Sequence, residues 1–187
     1  SFEGSENAYT QVIKVQCQSD VDCADGSSCH LRNRWCYADD RELSCGVDEG
    51  FEPNESAGTA TELTLDGAPV ELADIAICPE DEDYYRVEIG AGQGLTATLL
   101  HGDNTEVDLF LFKDNGQFVS AGARRRTGEE LRAPYLAAGS YLLLVDMQNY
   151  QGAVPTTYDL TVVLESGLCT RDPDCTGLAG REFCDGD

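Results

Sequence analysis

The fold is decided by the stretch Asp81-Glu82-Asp83-Tyr84-Tyr85-Arg86-Val87-Glu88-Ile89, which begins with three acidic residues and continues with apolar side chains at alternate positions. Alternation of this kind is typical of a β-strand with one buried face. A second acidic stretch, Glu52-Pro53-Asn54-Glu55, precedes it in the chain. Carboxylate and amide oxygens are the ligands that Ca²⁺ prefers. Brought together, the two stretches would form a hard-cation site.

The same alternating pattern recurs along the chain after this stretch. It is clearest in Leu95-Ala97-Leu99, Tyr141-Leu143-Val145 and Tyr158-Leu160-Val162-Leu164. Shorter strands are expected near residues 61–65, 70–72, 117–120 and 131–135. Turn residues separate these runs at the spacing of an antiparallel sandwich. We therefore predict an all-β fold, an antiparallel two-sheet β-sandwich of jelly-roll type with about eight strands.

One strand is apolar on both faces. The stretch Val107-Asp108-Leu109-Phe110-Leu111-Phe112 has Asp108 as its one polar residue. Such a strand is either central in a sheet or carries exposed aromatic side chains on its second face. An exposed aromatic strip would suit polymer binding, and the candidates for it are Phe110, Phe112, Tyr135 and Tyr150.

The charge of the chain limits its partners. In 187 residues there are 35 Asp and Glu against 12 Lys and Arg, which gives a net charge of -23. This charge would repel a phosphate backbone and an anionic bilayer, so we expect no nucleic-acid binding and no membrane insertion. Bound divalent cations would offset the self-repulsion. The cationic run Arg124-Arg125-Arg126 is either a solvated loop or a contact for an acidic polymer or a neighbouring module.

The cysteines indicate an oxidising compartment. Nine cysteines without any Cys-x-x-Cys pair favour disulfides over zinc or redox chemistry, so we expect a secreted, extracellular or cell-surface protein. The sequence shows no initiating Met, no basic-then-apolar leader and no apolar run near the roughly 18 residues of a membrane helix. A signal sequence, if one exists, is expected to lie outside this stretch. Cys45 lies just before the first acidic stretch and Cys78 just before the second. A Cys45–Cys78 bridge would hold the two stretches near each other.

A cysteine motif occurs twice. Cys17-Gln18-Ser19-Asp20-Val21-Asp22-Cys23 and Cys169-Thr170-Arg171-Asp172-Pro173-Asp174-Cys175 share Cys-x-x-Asp-x-Asp-Cys. We therefore divide the chain into a lead-in (1–16), a Cys-rich module (17–44), the sandwich (45–166) and the start of a second module that includes Cys184 (167–187). The lead-in is interpreted as the last strand of a preceding sandwich in a tandem array, or as an unrelated linker.

Six motifs follow one another in order over roughly residues 45–165. They are Glu52-Pro53-Asn54, Asp81-x-Asp83-Tyr84-Tyr85, Gly92-Gln93, Val107-Asp108-Leu109-x-Leu111-Phe112, Ala138-Gly139-Ser140-Tyr141-x-x-x-Val145 and Tyr158-Asp159-Leu160. With these motifs, this part of the chain resembles the bacterial pre-peptidase C-terminal domain, a family that includes the collagen-binding domains of clostridial collagenases. The resemblance implies a calcium-stabilised β-sandwich that secreted bacterial proteins carry as a non-catalytic module. The flanking cysteine units are similar to small repeats of bacterial extracellular proteins.

The resemblance also implies a ligand set for Ca²⁺. Glu52 and Asn54, on the segment that enters the domain, would meet Asp81 and Asp83, and Tyr84 would offer its backbone carbonyl. In the family an acidic residue often stands two positions before the glutamate, but Gly50 stands there in this chain, and Asp48 or Glu49 would have to replace it. The complete expected set is Glu52, Asn54, Glu55, Asp81, Asp83 and Tyr84.

The first Cys-rich module leaves two questions open. Its four cysteines allow three pairings, and by analogy with interleaved small modules we favour Cys17–Cys29 with Cys23–Cys36. The run Asp20-x-Asp22-x-x-Asp25-Gly26 could hold a second Ca²⁺, although Asp and Gly at this density more often form turns.

No catalytic constellation stands out, so we predict that the chain is not an enzyme. His30 and His101 are the only histidines, and each is expected to be a surface or turn residue. The favoured function is a non-catalytic, calcium-stabilised module of a large secreted or cell-surface bacterial protein, acting as spacer, adhesion element or polymer-binding domain. Its partners would be neighbouring modules of the same chain and extracellular protein or polysaccharide. The alternatives are an accessory domain of a secreted hydrolase or peptidase, and a disulfide-rich inhibitor or receptor-binding protein.

Overall fold

The structure, a computed structural model, describes residues 16–38, 51–79, 81–102, 106–125, 127–147 and 155–166. Most of the predicted lead-in, Cys45, Tyr150 and the second cysteine module lie outside these residues. The interpretations that concern them remain predictions.

Two five-stranded sheets pack face to face. The strands of sheet I are β4 (Val70–Ile77), β6 (Gln93–His101), β9 (Ala123–Arg125), β10 (Gly128–Ala133) and β12 (Thr156–Ser166). Those of sheet II are β3 (Thr61–Leu63), β5 (Glu82–Ile89), β7 (Val107–Lys113), β8 (Phe118–Ala121) and β11 (Gly139–Met147). Sheet I has the order β4-β12-β6-β10-β9 and sheet II the order β3-β5-β11-β7-β8.

The predicted all-β, two-sheet sandwich is confirmed, and among the described residues there is no α-helix. The strand count differs from the expected eight, because the described part of the sandwich contains ten strands. The alternation does not reveal β9, which has three residues and ends in two arginines. All pairings within the two sheets are antiparallel except that of β3 with β5, which is parallel.

The main core lies between the sheets and follows the alternation predicted from the sequence. Val87 and Ile89 of β5 point into this interior, together with Leu99 of β6, Leu143 of β11 and Leu160 of β12, and all five are buried. Each strand therefore contributes every second side chain to one apolar layer. Because successive side chains of a strand point to opposite faces, the positions of these apolar residues also determine whether each polar residue at a strand end points inward or outward.

The first Cys-rich module is a small disulfide-linked unit. A 3-10 turn at Asp20–Asp22 leads into the hairpin of β1 (Ser27–His30) and β2 (Trp35–Ala38). Cys17 is bonded to Cys29 and Cys23 to Cys36, with S–S distances of 2.04 and 2.09 Å. This is the interleaved pairing that the analogy favoured. Disulfides persist in oxidising compartments, so they indicate an extracellular or periplasmic location.

This module covers the outer face of sheet II. Leu31 packs there with Tyr84, Phe112, Leu142 and Leu144, and all five are buried. The central strands β7 and β11 are thus buried on both faces over most of their length, which explains their continuous apolar runs. Of the two interpretations of the β7 stretch, the central strand is correct. An exposed aromatic strip through Phe112 is wrong, because the module lies over it.

Among the described residues, no helix has the length and apolar character needed to cross a membrane.

Candidate metal centre

The alternation of β5 sends its acidic residues to opposite faces. Asp83 points to the interior, where its Oδ2 accepts a hydrogen bond of 2.6 Å from the hydroxyl of Tyr158. The Tyr158 hydroxyl also lies 2.6 Å from that of Tyr85, on the same face of β5 as Asp83. Burial and the charge of Asp83 raise the pKa of Tyr158 well above its ordinary value, so the hydroxyl keeps its proton and remains a donor. Glu82 points to the outer face.

A backbone contact joins the two acidic stretches. The N–H of Tyr84 donates to the carbonyl of Asn54 at 2.9 Å. The same entering segment is held by Thr61, whose hydroxyl donates to the carbonyl of Phe51 at 2.8 Å. Within the segment, the N–H of Asn54 donates to Oε2 of Glu52 at 3.3 Å. The backbone of Asn54 therefore lies beside the start of β5. The ligand set expected from the sequence remains a prediction.

The electrostatics show that three carboxyl groups lie close together. The pKa of Glu52 is raised from 4.5 to about 7, first by burial, then by a hydrogen bond with Glu55 and by the negative charges of Glu55 and Asp81. Carboxylates held this near each other repel, and a bound cation relieves the repulsion. Glu52 and Glu55 are half-buried, and Asp81 is buried.

Asn54 supplies the observation that tests whether a metal ion fits. Its side chain is 1% exposed, and its Oδ1 has no hydrogen-bond partner among the described residues. Leaving a buried amide oxygen unsatisfied costs about 1–3 kcal/mol, so such atoms usually have a partner. A buried amide oxygen in the same segment as the carboxyl groups of Glu52 and Glu55 matches the oxygen-only donor set of Ca²⁺.

Asp81 is fixed by the turn that precedes β5. Its Oδ1 accepts from the N–H of Glu82 at 3.1 Å and its Oδ2 from the N–H of Cys78 at 3.4 Å. Cys78 is buried and disulfide-bonded. The expected Cys45–Cys78 bridge stays a prediction, because Cys45 lies outside the described residues.

Tyr84 is tied to the Cys-rich module by its side chain. The hydroxyl accepts from the N–H of Leu31 at 3.2 Å and donates to Oε1 of Glu82 at 3.3 Å. Its expected role as a carbonyl ligand remains a prediction. Gly50, with Asp48 and Glu49 as its substitutes, lies outside the described residues.

His30 is a residue whose position the sequence analysis missed. The expected surface or turn placement is wrong: His30 is buried, with Nδ1 2.7 Å from Oε1 of Glu82. It is the last residue of β1, and it lies between the Cys-rich module and sheet II, where it contacts Glu82. His101, at the end of β6, is half-buried, and its Nδ1 lies 2.9 Å from the carbonyl of Gly102.

Arg32 makes a second buried polar contact under the module. Its guanidinium lies 3.0 Å from Oδ2 of Asp108 and also contacts Oδ2 of Asp146. Both carboxyl groups are buried. The single polar residue in the β7 stretch was a signal for such a partner, since a buried carboxylate in an apolar strand requires one.

The acidic turn of the Cys-rich module is used for hydrogen bonds to the backbone. Asp20 accepts from the N–H of Cys29 at 2.8 Å and from the N–H of Gly58 at 3.1 Å. Asp22 accepts from Gln18 at 2.8 Å and from Ser19 at 3.2 Å. These contacts favour the turn interpretation over a second Ca²⁺ site. The side chains of the predicted Arg124–Arg126 cluster lie outside what the structure describes.

Comparison with known proteins finds similar structures but no matching family. No protein-family model matches the sequence, and no curated protein matches it. Among solved structures, the periplasmic inhibitor of g-type lysozyme PliG from Aeromonas hydrophila is similar at 14% identity and a TM-score of 0.46, over 57% of this chain and 96% of that one. The pre-peptidase C-terminal domain of a Bacillus anthracis collagenase is similar at 19% identity and a TM-score of 0.43, over 55% and 93%. PliG from Salmonella Typhimurium, also a periplasmic inhibitor of g-type lysozyme, is similar at 15% identity and a TM-score of 0.37, over 57% of this chain and 97% of that one. These values assign no function to the chain.

Proposed function

We propose that the chain is a non-catalytic, calcium-stabilised module of a larger secreted or cell-surface protein, and that its work is to fix the geometry between neighbouring modules. The observation that carries the proposal is the buried Oδ1 of Asn54, which has no partner among the described residues. The backbone N–H of Asn54 bonds to Glu52, whose carboxyl group in turn interacts with Glu55 and Asp81. Asn54, Glu52, Glu55, Asp81 and Asp83 would hold the ion.

A bound Ca²⁺ would act as a cross-link. Asn54 belongs to the segment that enters the sandwich, whereas Asp81 belongs to the turn before β5, so one ion would join both. Ligand binding that requires the folded state stabilises it by about 2.7 kcal/mol when the free ion is at a hundredfold its dissociation constant. The ion would also offset part of the net charge of -23.

The docked Cys-rich module supports the spacer function over polymer binding. Phe112 is buried beneath the module, and Phe110 is partly buried against the same cluster. The face of sheet II that would present an aromatic strip is therefore covered. A module whose broad face is occupied by its own chain suits a structural connector.

Thermal melting with and without chelator tests the calcium site. We expect the chelator to lower the melting temperature by about 5–10 °C, the shift that corresponds to about 2.7 kcal/mol in a chain of this size. Asn54→Ala and Asp81→Asn should remove the difference. Glu88→Gln, an exposed acidic residue on β5, is the matched control and should keep it. Equal melting temperatures with and without calcium in the native chain would remove Ca²⁺ from the proposal.

A binding assay tests the spacer function separately. The protein is mixed with insoluble collagen, chitin, cellulose and peptidoglycan, with calcium and with chelator. Binding to none of the four supports the spacer function. Saturable binding to any one of them would replace it with polymer binding, whatever the result of the melting experiment.

A further inference from the structure

We propose that His30, Glu82 and Asp146 form a second metal site, which takes Zn²⁺ or a similar divalent transition-metal ion and clamps the Cys-rich module to sheet II. The ligand atoms of the three side chains lie within 4.8 Å of one another. The site is independent of the calcium proposal, because it lies on the outer face of β5 and the calcium ligands Asp81 and Asp83 do not belong to it.

Three separate elements bring the ligands together. Glu82 and Asp146 are direct cross-strand partners in the pairing of β5 with β11, so their side chains share one face of sheet II. His30 comes from the other side of the interface, at the end of β1. A metal ion held by all three would connect the module to two central strands of the sandwich.

All three residues are buried, and a water molecule would take the fourth position of a tetrahedral ion that they hold. His30 is 8% exposed, Glu82 2% and Asp146 4%. Two carboxylates and a neutral imidazole carry a charge of about -2 as a donor set, which matches a divalent cation. In a water-poor interface this charge match is worth more than at the surface.

The donor types select the metal. Zn²⁺ takes imidazole nitrogen and carboxylate oxygen at about 2.0–2.2 Å, which places tetrahedral ligands about 3.4 Å apart. Nδ1 of His30 and Oε1 of Glu82 lie 2.7 Å apart, so they would separate by about 0.7 Å when a metal ion replaces the hydrogen between them. Ca²⁺ prefers oxygen ligands, so the imidazole distinguishes this site from that of Asn54.

Neighbouring side chains hold the ligands in place. The hydroxyl of Tyr84 donates to Glu82, and Arg32 contacts Oδ2 of Asp146, which leaves Oδ1 for the metal. Hydrogen bonds of this kind to ligating carboxylates orient them and tune the site. The cysteines of the module are joined in disulfides, so their sulfurs do not compete for the ion.

Calorimetry on the metal-stripped full chain tests the site, with Ca²⁺ in excess so that the calcium site is filled. We expect one equivalent of Zn²⁺ to bind, and Co²⁺ to bind with the absorption bands of a four-coordinate ion. His30→Ala and Asp146→Asn should each weaken Zn²⁺ binding at least a hundredfold. The chain contains two histidines, and His101→Ala is the matched control that should bind as the native chain does.

A measurement on the native chain shows whether Zn²⁺ binds at His30 even if a variant does not fold. The imidazole NMR signals of His30 and His101 are followed during the Zn²⁺ titration. Selective change of the His30 signals up to one equivalent supports the site. No binding, binding that survives His30→Ala, or selective change of the His101 signals would overturn it, and His30 would then serve as an ion-pair partner of Glu82 and not as a metal ligand.

Discussion

The guanidinium of Arg32 lies 3.0 Å from Oδ2 of Asp108, and this contact joins the Cys-rich module to the middle of sheet II. The same group contacts Asp146 and lies 4.8 Å from the centre of the Phe110 ring. Arginine suits this position because its planar guanidinium can bond two carboxylates and stack on an aromatic ring at once.

Arg32→Ala should therefore destabilise the protein by about 3–5 kcal/mol, because it leaves the buried carboxylates of Asp108 and Asp146 without this cation. The measurement is urea denaturation at neutral pH. Arg132→Ala is the matched control: its side chain is 68% exposed and pairs with Glu130 on the surface, so its loss should cost less than about 1 kcal/mol. Equal costs for the two arginines would show that the module docks through its apolar contacts alone.

Gly116→Ala should loosen the docked module. Gly116 has a φ of 76°, and an added Cβ would collide with the carbonyl oxygen of Gln18. Its own carbonyl accepts a 2.7 Å hydrogen bond from Arg34. Gly92 has a similar φ of 71° and open space around its Cβ position, so Gly92→Ala measures the backbone strain alone.

We expect Gly92→Ala to cost about 1–2 kcal/mol in urea denaturation, since this is the strain of a left-handed non-glycine residue. Gly116→Ala should cost at least about 1 kcal/mol more, because a backbone carbonyl on the module must move. Equal costs would mean that the module shifts freely at this contact.

Calcium affinity should depend on pH through Glu52. Its pKa in the folded state is raised from 4.5 to about 7, so the folded protein without metal binds this proton more tightly than the unfolded chain does. The protonated Glu52 side chain therefore stabilises the folded protein without metal. This contribution is complete below pH 4.5 and is lost as the pH rises towards 7. A metal ligand must be deprotonated, so Ca²⁺ has to displace the proton.

We expect Ca²⁺ to bind about tenfold more weakly at pH 6 than at pH 8, with proton release at pH 6. Calorimetry in two buffers of different ionisation enthalpy measures both quantities. Glu52→Gln should bind more weakly and lose most of the pH dependence, whereas Glu88→Gln should behave like the native chain. A native chain whose affinity does not change with pH would exclude Glu52 from the ligands.

The contacts of β5 explain how far the sequence could predict the site. The alternation from Tyr85 to Ile89 identified the strand, and the acidic residues before it identified an oxygen-rich cluster next to Asn54. The same alternation sends Glu82 to the opposite face from Asp83, where it meets His30. Strand periodicity predicts that Glu82 and Asp83 point to opposite faces of the sheet, but it does not predict which part of the chain covers the outer face.

The packing of the Cys-rich module on sheet II could not be predicted either, because local strand periodicity does not identify the partner of a buried face. The runs around Phe112 and Leu142 are apolar on both faces, which indicates that something lies over them. Which part of the chain supplies the cover depends on long-range contacts such as that of Arg32 with Asp108. Nothing in the local pattern of the Cys-rich module specifies its partner face, because its four cysteines fix its internal structure only.

The position of Leu31 over Leu142 and Leu144 has a practical consequence for recombinant work on this protein. A fragment trimmed to the ten sandwich strands would expose these leucines and Phe112 to water. An exposed hydrophobic patch of this kind promotes aggregation. Production in a reducing cytoplasm would have a similar effect, because the small module needs its two bridges to keep its shape. Expression is best directed to the periplasm or the medium, with residues 16–38 retained.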